Sequence, residues 1–345
     1  MRIFIIGGTG FSGPHIVQSL VESGCDVLLF HRGKSETELP PGVSQIFGDR
    51  RNLKDYADDL LHFAPQVVLD MVASRESDAQ DVMDIFKGTA QRIVAISSQD
   101  VYRAYGVLIH IEAGPIEEIP LDEDAPLRDK LYPYRESVTP DHRYYDYEKI
   151  LVERRYLGDP ELPGTIIRYP MVYGPGDYQH RTFEYLKRMD DGRPAILLEK
   201  GSANWRWTKG YAENMAAGVV LAVTDQRAAG RIYNIGEAHA LTEAQWVGAI
   251  GRAAGWKGKV IVLAKKQLPE HLVPDHNTGQ DLVTDTSRIR EELGYEEVVP
   301  QDEALRRTIE WERAHPPEEV DVSRFDYEAE DALLDSLANP LERTD

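Results

Sequence analysis

Short apolar runs alternate with amphipathic patterns along the first half of the chain. Six runs rich in isoleucine and valine predict β-strands at residues 2–6, 26–30, 43–47, 66–71, 92–97 and 165–169. Several are apolar almost throughout, which is typical of strands covered on both faces of a parallel sheet. Between them, stripes such as Ile16, Val17, Leu20 and Val21 predict helices. This alternation favours an α/β fold with a doubly wound parallel sheet and right-handed crossovers.

The pattern changes after Tyr173, where a turn-rich segment of glycine, proline and aspartate interrupts the alternation. We expect a first domain at 1–173 and a smaller C-terminal α/β domain at 174–209 and 237–315. Residues 210–236 are expected to return to the first domain as one more helix and strand. The proline-rich stretch 107–140 shows no long periodic pattern and predicts a loop.

Composition limits the classes of protein and partner. The 345 residues carry a formal net charge of −20, which disfavours nucleic acid because the phosphate backbone would be repelled. The single cysteine, Cys25, allows no internal disulfide and fits a cytoplasmic protein. No apolar window is long enough for a membrane span, and no signal peptide is expected.

The segment 316–345 is an acidic C-terminal tail, with ten acidic and two basic residues from Pro317 onward. Such a composition predicts a solvated or partly ordered extension. The alternative is a tail that docks on a partner subunit through its apolar side chains. Those side chains are Phe325, Tyr327, Leu333 and Leu334.

A glycine-rich motif follows the first predicted strand and precedes the first predicted helix. Its residues are Gly7, Gly8, Thr9, Gly10, Phe11, Ser12 and Gly13. Glycine tolerates a tight turn and lets the backbone approach a pyrophosphate without a Cβ clash. The following helix points free N–H groups at the phosphates. In this context the motif predicts a Rossmann-type dinucleotide site.

The ends of the second and third strands bear on the choice of dinucleotide. An NAD site usually has an acidic residue after the second strand, where this chain has His31 and Arg32. Arg32 can pair with a 2′-phosphate, which favours NADP over NAD, unless its side chain merely faces solvent. Asp49 and Arg50 follow the third strand; Asp49 either accepts from the adenine amino group or caps the loop.

Tyr145 and Lys149 form a Y-x-x-x-K pattern. On a helix, residues four apart share a face, so a phenol would lie beside an ammonium that favours its ionised form. A surface Tyr–Lys pair is the alternative. Ser97 and Ser98 end the fifth predicted strand, at the sheet edge where ligands of parallel sheets lie. These residues together predict acid–base chemistry on a hydroxyl or carbonyl group.

In these motifs the chain resembles the extended short-chain dehydrogenase/reductases, the NAD-dependent epimerase/dehydratase group, over roughly residues 1–313. The resemblance lies in the glycine motif, in the segment 97–102, in Tyr145 with Lys149, and in the segment 168–176. It implies that Tyr145 is the acid–base residue. It also implies that Lys149 holds the nicotinamide ribose and that Ser98 donates to the substrate oxygen.

The resemblance implies further cofactor contacts at the ends of two strands. Those residues are Met71, Val72, Ala73, Ser97, Tyr169, Pro170 and Val172. Members of this group often dimerise through two helices from each subunit, here the helices after Asp78 and around Tyr145. We therefore expect a homodimer. No close spacing of histidine, cysteine or carboxylate residues predicts a metal site.

Some positions depart from the group's pattern. Sugar dehydratases of the group have Asp-Glu after the serine or threonine, where this chain has Gln99 and Asp100. Gln99 cannot donate a proton as an acid; Asp100 acts either as a base or as a structural cap. Arg206 matches a phosphate-binding arginine of the group, but no second arginine occurs in 275–285. Gln99, Asp100 and Arg206 are candidate substrate contacts, and a nucleotide sugar is one candidate substrate.

The sequence thus predicts an NAD(P)-dependent epimerase or reductase that acts on a hydroxyl or keto carbon of a sugar or sugar-like substrate. Such an enzyme is an isomerase if hydride returns to the other face of the carbon, and an oxidoreductase if it does not. The alternative is a non-catalytic nucleotide-binding or RNA-associated protein on the same fold, as in a branch that includes chloroplast stem-loop-binding proteins.

Overall fold

The computed structural model describes residues 1–35 and 37–338. The strands are β1 (Arg2–Ile6), β2 (Asp26–His31), β3 (Ser44–Phe47), β4 (Val67–Asp70), β5 (Arg92–Ser98), β6 (Gly164–Tyr169), β7 (Met171–Tyr173), β8 (Ala195–Glu199), β9 (Lys209–Tyr211), β10 (Ile232–Asn234) and β11 (Lys259–Leu263). The helices are α1 (Gly13–Glu22), α2 (Ala57–Phe63), α3 (Glu76–Phe86), α4 (Arg103–Leu108), α5 (Lys149–Leu157), α6 (Phe183–Asp190), α7 (Lys200–Asn204), α8 (Ala212–Thr224), α9 (Glu243–Ala254), α10 (Ser287–Leu293), α11 (Gln301–Ala314) and α12 (Tyr327–Ala338).

Seven parallel strands form the central sheet, in the order β10-β6-β5-β4-β1-β2-β3. The chain starts in the middle and builds outward in both directions, so the strand order reverses between β1 and β4. Ligands of such sheets bind outside the carboxyl ends of the strands at this reversal. The doubly wound Rossmann-type fold expected from the sequence is confirmed.

Two layers of helices bury the sheet. Apolar residues of α1 and α8 pack with Ile3 and Ile5 on one face, while α3 and α5 pack with Phe4 and Ile6 on the other. Successive side chains of β1 therefore enter opposite cores, which explains its uninterrupted apolar run. By contrast, β3 lies at the sheet edge, begins at Ser44 and is mostly exposed.

The segment 210–236 contributes β10, which pairs with β6, and α8, which packs on α1. A separate hydrophobic cluster lies in the C-terminal part, where α6, α9 and α11 pack together around Trp246. The parallel pair β8–β11 lies beside it. The strand expected within 210–236 is β10, whereas β7, β8, β9 and β11 were not indicated individually.

The acidic tail is exposed at most of its positions up to residue 338, but it contains a helix, α12. Its residues up to 338 fold back on the same chain, where α12 is bonded to α6 through Glu330. Glu330 is buried and accepts from the Arg188 guanidinium at 3.0 Å, and the Phe325 ring lies 4.8 Å from that guanidinium. Buried carboxylates are stable only when paired, so Arg188 accounts for this docking. Residues 339–345 of the tail lie outside the described residues.

Candidate functional site

The glycine-rich turn joins β1 to α1 at the point of strand reversal. Gly7 and Gly8 have φ angles of 98° and 86°, which side-chain-bearing residues rarely adopt. A Cβ on Gly13 would lie 2.5 Å from the Gly8 carbonyl carbon, so the helix start packs directly on the turn. A Cβ on Gly10 would meet no described atom within 4 Å. The open space at Gly10, at the N-terminus of a ten-residue helix, fits a dinucleotide pyrophosphate.

Residues 71–73, which follow β4, lie beside this turn, and we call them the ledge. Val72 is 45% exposed, and its Cγ1 would be 3.0 Å from a Cβ on Gly7. The buried Asp70 carboxylate accepts from the backbone N–H groups of Val72 and Ala73 at 3.1 and 2.9 Å. Asp70 therefore fixes the backbone of the ledge, which includes the predicted residues Met71, Val72 and Ala73.

Arg50 lies beneath the ledge, where it anchors Asp70. Its guanidinium donates to the two oxygens of Asp70 at 2.6 and 2.8 Å, and it also contacts Asp78. Arg50 thus compensates a buried carboxylate, and the cofactor contact expected of it stays a prediction. Asp49 is exposed and accepts from the Arg51 backbone N–H at 2.9 Å, so it caps the loop.

His31 and Arg32, which were both expected to contact the cofactor, lie in different surroundings. The His31 ring is buried and pairs with the Gln45 side chain of β3 at 2.9 Å, so it braces neighbouring strands rather than facing the turn. Arg32 is exposed. The chain beyond it returns to the glycine motif, where the Thr37 hydroxyl donates to the Thr9 carbonyl at 2.7 Å.

Ser97 belongs to a buried network below the site. Its hydroxyl donates to Glu153 at 2.6 Å, and Glu153 also receives both arms of Arg168, at 3.0 and 2.7 Å. Arg168 donates in turn to the Tyr102 hydroxyl at 2.9 Å. The Ser97 hydroxyl is thus engaged with Glu153, and the cofactor contact expected of Ser97 stays a prediction.

Ser98 and Asp100, at the end of β5, meet a tyrosine that the sequence did not single out. The Tyr147 hydroxyl donates to Asp100 Oδ2 at 2.7 Å. The Ser98 Oγ accepts from the Asp100 backbone N–H at 3.2 Å. Burial and the Asp100 carboxylate raise the pKa of Tyr147 well above its usual value, and the Ser98 hydroxyl opposes this shift. A hydroxyl, a phenol and a carboxylate therefore converge.

Tyr145 does not share a helical face with Lys149, which is a correction to the sequence-based expectation. Helix α5 begins at Lys149, so Tyr145 lies in the turns that precede it. Its ring is 4.9 Å from the Arg135 guanidinium, whose Nε donates to the Tyr145 carbonyl at 3.3 Å. Tyr147, two positions later, has the phenol that reaches the end of β5. The run of tyrosines at 132–147 is the only sequence signal that could have indicated it.

The late start of α5 has a specific cause. Glu148 is the N-cap residue, and its carboxylate accepts from the Ile150 N–H at 2.9 Å. The same buried carboxylate accepts from Arg128 at 3.1 Å and from the Tyr132 N–H at 2.5 Å. Glu148 also donates its own N–H to the Ser74 carbonyl at 2.8 Å. These bonds hold residue 148 in an extended conformation, and a helix cannot continue through it.

Lys149 bridges the ends of two neighbouring strands. Its ammonium donates to the Ala73 carbonyl at 2.6 Å and to the Ile96 carbonyl at 2.8 Å, and it lies 5.9 Å from the Tyr147 ring centroid. Burial lowers the pKa of Lys149, with Asp100 as the main opposing influence. Lys149 thus connects the cofactor ledge to the end of β5.

The predicted substrate residues are divided between two places. Gln99 is buried and donates to the Thr284 hydroxyl at 2.7 Å, which ties β5 to the C-terminal part. Arg206 is 43% exposed and pairs with Asp281 at 2.9 Å. Because Asp281 partly neutralises Arg206, this arginine is a weaker phosphate site than an unpaired one.

The segment after β6 closes the cofactor side. The Tyr169 hydroxyl lies 3.5 Å from the Ser12 Oγ, and the Val172 carbonyl accepts from Arg181 at 2.9 Å. Pro170 lies between them. Within residues 1–35 and 37–338, no cluster of three metal-ligating side chains is formed. In the same described ranges, no helix has the length and apolar character needed to cross a bilayer.

The chain is similar to several known proteins. The 2′-dehydrokanamycin reductase of Streptomyces kanamyceticus is 25% identical over 248 residues, which cover 70% of this chain and 63% of that protein. This chain thus spans less than two thirds of that relative. A UDP-N-acetyl-alpha-D-glucosaminuronate decarboxylase of Bacillus cytotoxicus is 25% identical over 333 residues, which cover 90% and 98%.

Solved structures share the fold. A UDP-glucuronic acid 4-epimerase from Bacillus cereus, in complex with UDP-glucuronic acid and NAD, superposes with a TM-score of 0.66 at 19% identity, covering 91% of this chain and 99% of the epimerase. The model of the NAD dependent epimerase/dehydratase family matches residues 3–236, about two thirds of the sequence. The resemblance inferred from the motifs is confirmed, and the chain belongs to the NAD-dependent epimerase/dehydratase family.

Proposed function

We propose that this protein is an NAD(P)-dependent epimerase or reductase that acts on a hydroxyl or keto carbon of a sugar or sugar-like substrate. The observation that carries the proposal is the bridge formed by Lys149. Its ammonium joins Ala73, on the ledge beside the glycine turn, to Ile96, two residues before Ser98. A dinucleotide along the ledge would thus meet a substrate oxygen at Ser98. A bound nicotinamide supplies the hydride acceptor or donor.

The residues of the chain bind and orient. Lys149 is proposed to hold the nicotinamide ribose, and Ser98 to donate a hydrogen bond to the substrate oxygen. A tyrosine of the segment before α5 is proposed to move the proton of that oxygen. The Y-x-x-x-K spacing designates Tyr145, whereas the geometry around Ser98 favours Tyr147.

Turnover of a panel of sugars and related carbonyl compounds, followed as nicotinamide absorbance, tests this proposal. An epimerase would interconvert two substrates without net cofactor reduction, whereas a reductase would consume reduced cofactor. Salt-dependent RNA binding with no turnover across the panel would instead favour the non-catalytic alternative, which the net charge disfavours.

We propose NADP as the preferred cofactor, with NAD as the alternative. Thr37 bonds to Thr9 of the glycine motif, and the exposed guanidinium of Arg32 follows the strand end where a 2′-phosphate would lie. A charge-assisted hydrogen bond contributes about 1.5–3 kcal/mol, so Arg32→Ala should weaken NADP binding about tenfold or more while NAD binding is retained. Arg51→Ala, another exposed arginine, is the control. Tightly held NAD in mass spectra of released nucleotides would contradict the preference.

The substrate is proposed to be a sugar, with a nucleotide sugar as one candidate. The Bacillus cereus neighbour holds UDP-glucuronic acid, whereas the Streptomyces relative is a reductase of a dehydrokanamycin. A substitution in the Arg206–Asp281 pair can distinguish a nucleotide sugar from a substrate without a nucleotide. If a diphosphate binds, Asp281→Asn should strengthen UDP binding, since it removes the neighbouring negative charge. Unchanged and negligible UDP binding in both proteins would favour a substrate without a nucleotide.

We further propose a cytoplasmic homodimer. Helices α3 and α5 pack side by side and would supply the paired helices of each subunit. Their outer residues include Glu76 and Arg155, which are paired at 3.5 Å. Light scattering tests the assembly, and a monomer at all concentrations would contradict it.

A further inference from the structure

We propose that Tyr147 and Asp100 form a proton relay in which Tyr147 exchanges a proton with the substrate oxygen and Asp100 is the terminal proton acceptor. This inference rests on the proposed function and names the residues that carry its proton. It replaces a lone tyrosine acid–base residue with a buried tyrosine–carboxylate pair at the end of β5.

The geometry selects Tyr147 as the first member of the relay. Its hydroxyl is 2.7 Å from Asp100 Oδ2 and adjoins the Ser98 hydroxyl, which is the proposed anchor of the substrate oxygen. The Tyr145 ring instead packs against the guanidinium of Arg135. A proton-transfer group must lie within hydrogen-bond reach of its partners. Tyr147 is bonded to Asp100 and adjoins Ser98, whereas among the described residues the Tyr145 hydroxyl forms no hydrogen bond to either.

The surroundings of Asp100 suit a terminal acceptor. Its side chain is 6% exposed, and among the described residues its Oδ1 is a buried oxygen with no hydrogen-bond partner. Burial raises the pKa of the Asp100 carboxyl, opposed chiefly by Arg128 and by the Tyr147 hydrogen bond. A carboxylate with a raised pKa is a stronger base near neutrality than an ordinary aspartate. The ionisable or charged groups that face it are Tyr105, Arg128, Tyr134, Tyr147, Glu148 and Lys149.

Before the reaction, Tyr147 is a neutral phenol rather than a phenolate. Burial and the Asp100 carboxylate raise the pKa of this phenol, and Lys149 donates to backbone carbonyls rather than to the phenol oxygen. A neutral phenol that already donates to a carboxylate can accept a second proton only as it releases its own. The pair therefore acts as a unit, and the negative charge resides on Asp100 before the reaction.

The atoms balance in the oxidising direction. The O–H bond of the substrate alcohol breaks and its proton forms a bond to the Tyr147 oxygen, while the Tyr147 proton passes to Asp100 Oδ2. The substrate carbon is oxidised to a carbonyl as its hydrogen leaves with an electron pair, and the nicotinamide is reduced. In the reducing direction the Asp100 carboxylic acid returns the proton through Tyr147.

Three matched tyrosine variants test the relay. Tyr147→Phe should lower kcat by about 10²–10⁴-fold, with cofactor affinity nearly unchanged. Tyr144→Phe keeps the ring that packs against Tyr147 and removes only a hydroxyl that contacts Arg143 and Tyr178, so it should retain kcat within about twofold. Loss of turnover in Tyr145→Phe combined with full activity in Tyr147→Phe would overturn the proposal.

A measurement that needs no turnover examines the pair directly. Infrared difference spectra between acidic and neutral pH should contain a carboxylic-acid band that disappears in Asp100→Asn. The hydrogen bond from Tyr147 should shift this band, so Tyr147→Phe should move its frequency and its titration midpoint. Tyr144→Phe should move neither. A band that Tyr147→Phe leaves unchanged would overturn the relay.

Wild-type protein and the Tyr147→Phe variant together separate the proposed function from the relay. If the wild-type protein binds neither NAD nor NADP, the proposed function is wrong. If it binds a cofactor and turns over a substrate while Tyr147→Phe remains fully active, only the relay is wrong.

Discussion

The glycine turn and the tyrosine-bearing segment 129–148, which leads into Lys149, carry two of the motifs of this protein, and only the first has the local structure that its motif predicts. The turn from Gly7 to Gly13 has the backbone geometry that its spacing predicts. The Tyr145–Lys149 spacing predicts a shared helical face, but the helix starts only at Lys149. The glycine motif therefore has the local structure that its sequence predicts, and the Tyr145–Lys149 motif does not.

The difference lies in what each motif requires. Glycine acts through the backbone of its own position, so few distant residues can change the outcome. A pair of side chains four residues apart acts only if the intervening backbone is helical. Here the distant Arg128 binds Glu148 and fixes it as an N-cap, which overrides the local periodicity. Motifs built on side-chain spacing therefore depend on tertiary contacts more than motifs built on glycine.

The largest expected effect comes from breaking the anchor of the tyrosine-bearing segment. Arg128→Met leaves the buried Glu148 carboxylate without its cation and should reduce the free energy of unfolding by about 3–5 kcal/mol. Lys130→Met, which breaks the exposed pair with Glu136, should cost less than about 1 kcal/mol. Urea denaturation of both variants measures this. Equal, small losses would mean that the pair does not fix the helix start.

Substitutions of two glycines of the turn should differ in their effect on stability, and both effects should be smaller than that of Arg128→Met. Gly13→Ala places a methyl group against the Gly8 carbonyl and should cost about 1–3 kcal/mol. Gly10→Ala enters open space, so thermal unfolding should be nearly unchanged while cofactor titration shows weaker binding. Unimpaired cofactor binding by Gly10→Ala would contradict the assignment of that space to the pyrophosphate.

The smallest effect concerns the pH dependence of stability. Because burial raises the pKa of Asp100, the folded protein holds this proton more tightly than the unfolded chain does. Wild-type stability should therefore fall as the pH rises from the unfolded value of about 3.9 through the raised value, by about 1.4 kcal/mol for each unit of pKa difference. Asp100→Asn lacks this titration. In denaturation experiments across the acidic range, the free energy of unfolding of the variant should therefore increase relative to that of the wild type as the pH rises. Parallel curves would show that Asp100 titrates normally.

The sequence by itself determined the parallel sheet and the glycine turn. Strands β1 to β6 were all predicted, and the apolar runs of all of them except the exposed edge strand β3 reflect burial on both faces. It also determined that Ser98 ends β5, because strand ends follow from the same runs. These features depend on residues that are close in the chain.

Only the tertiary structure decided which side chains reach the site. Arg50 and Ser97 matched expected positions, but they compensate the buried carboxylates of Asp70 and Glu153. Tyr147 had no motif of its own and lies against Asp100, 47 residues earlier in the chain. A buried charge must find a partner wherever the fold provides one, and that partner is chosen by proximity in space rather than by spacing in sequence.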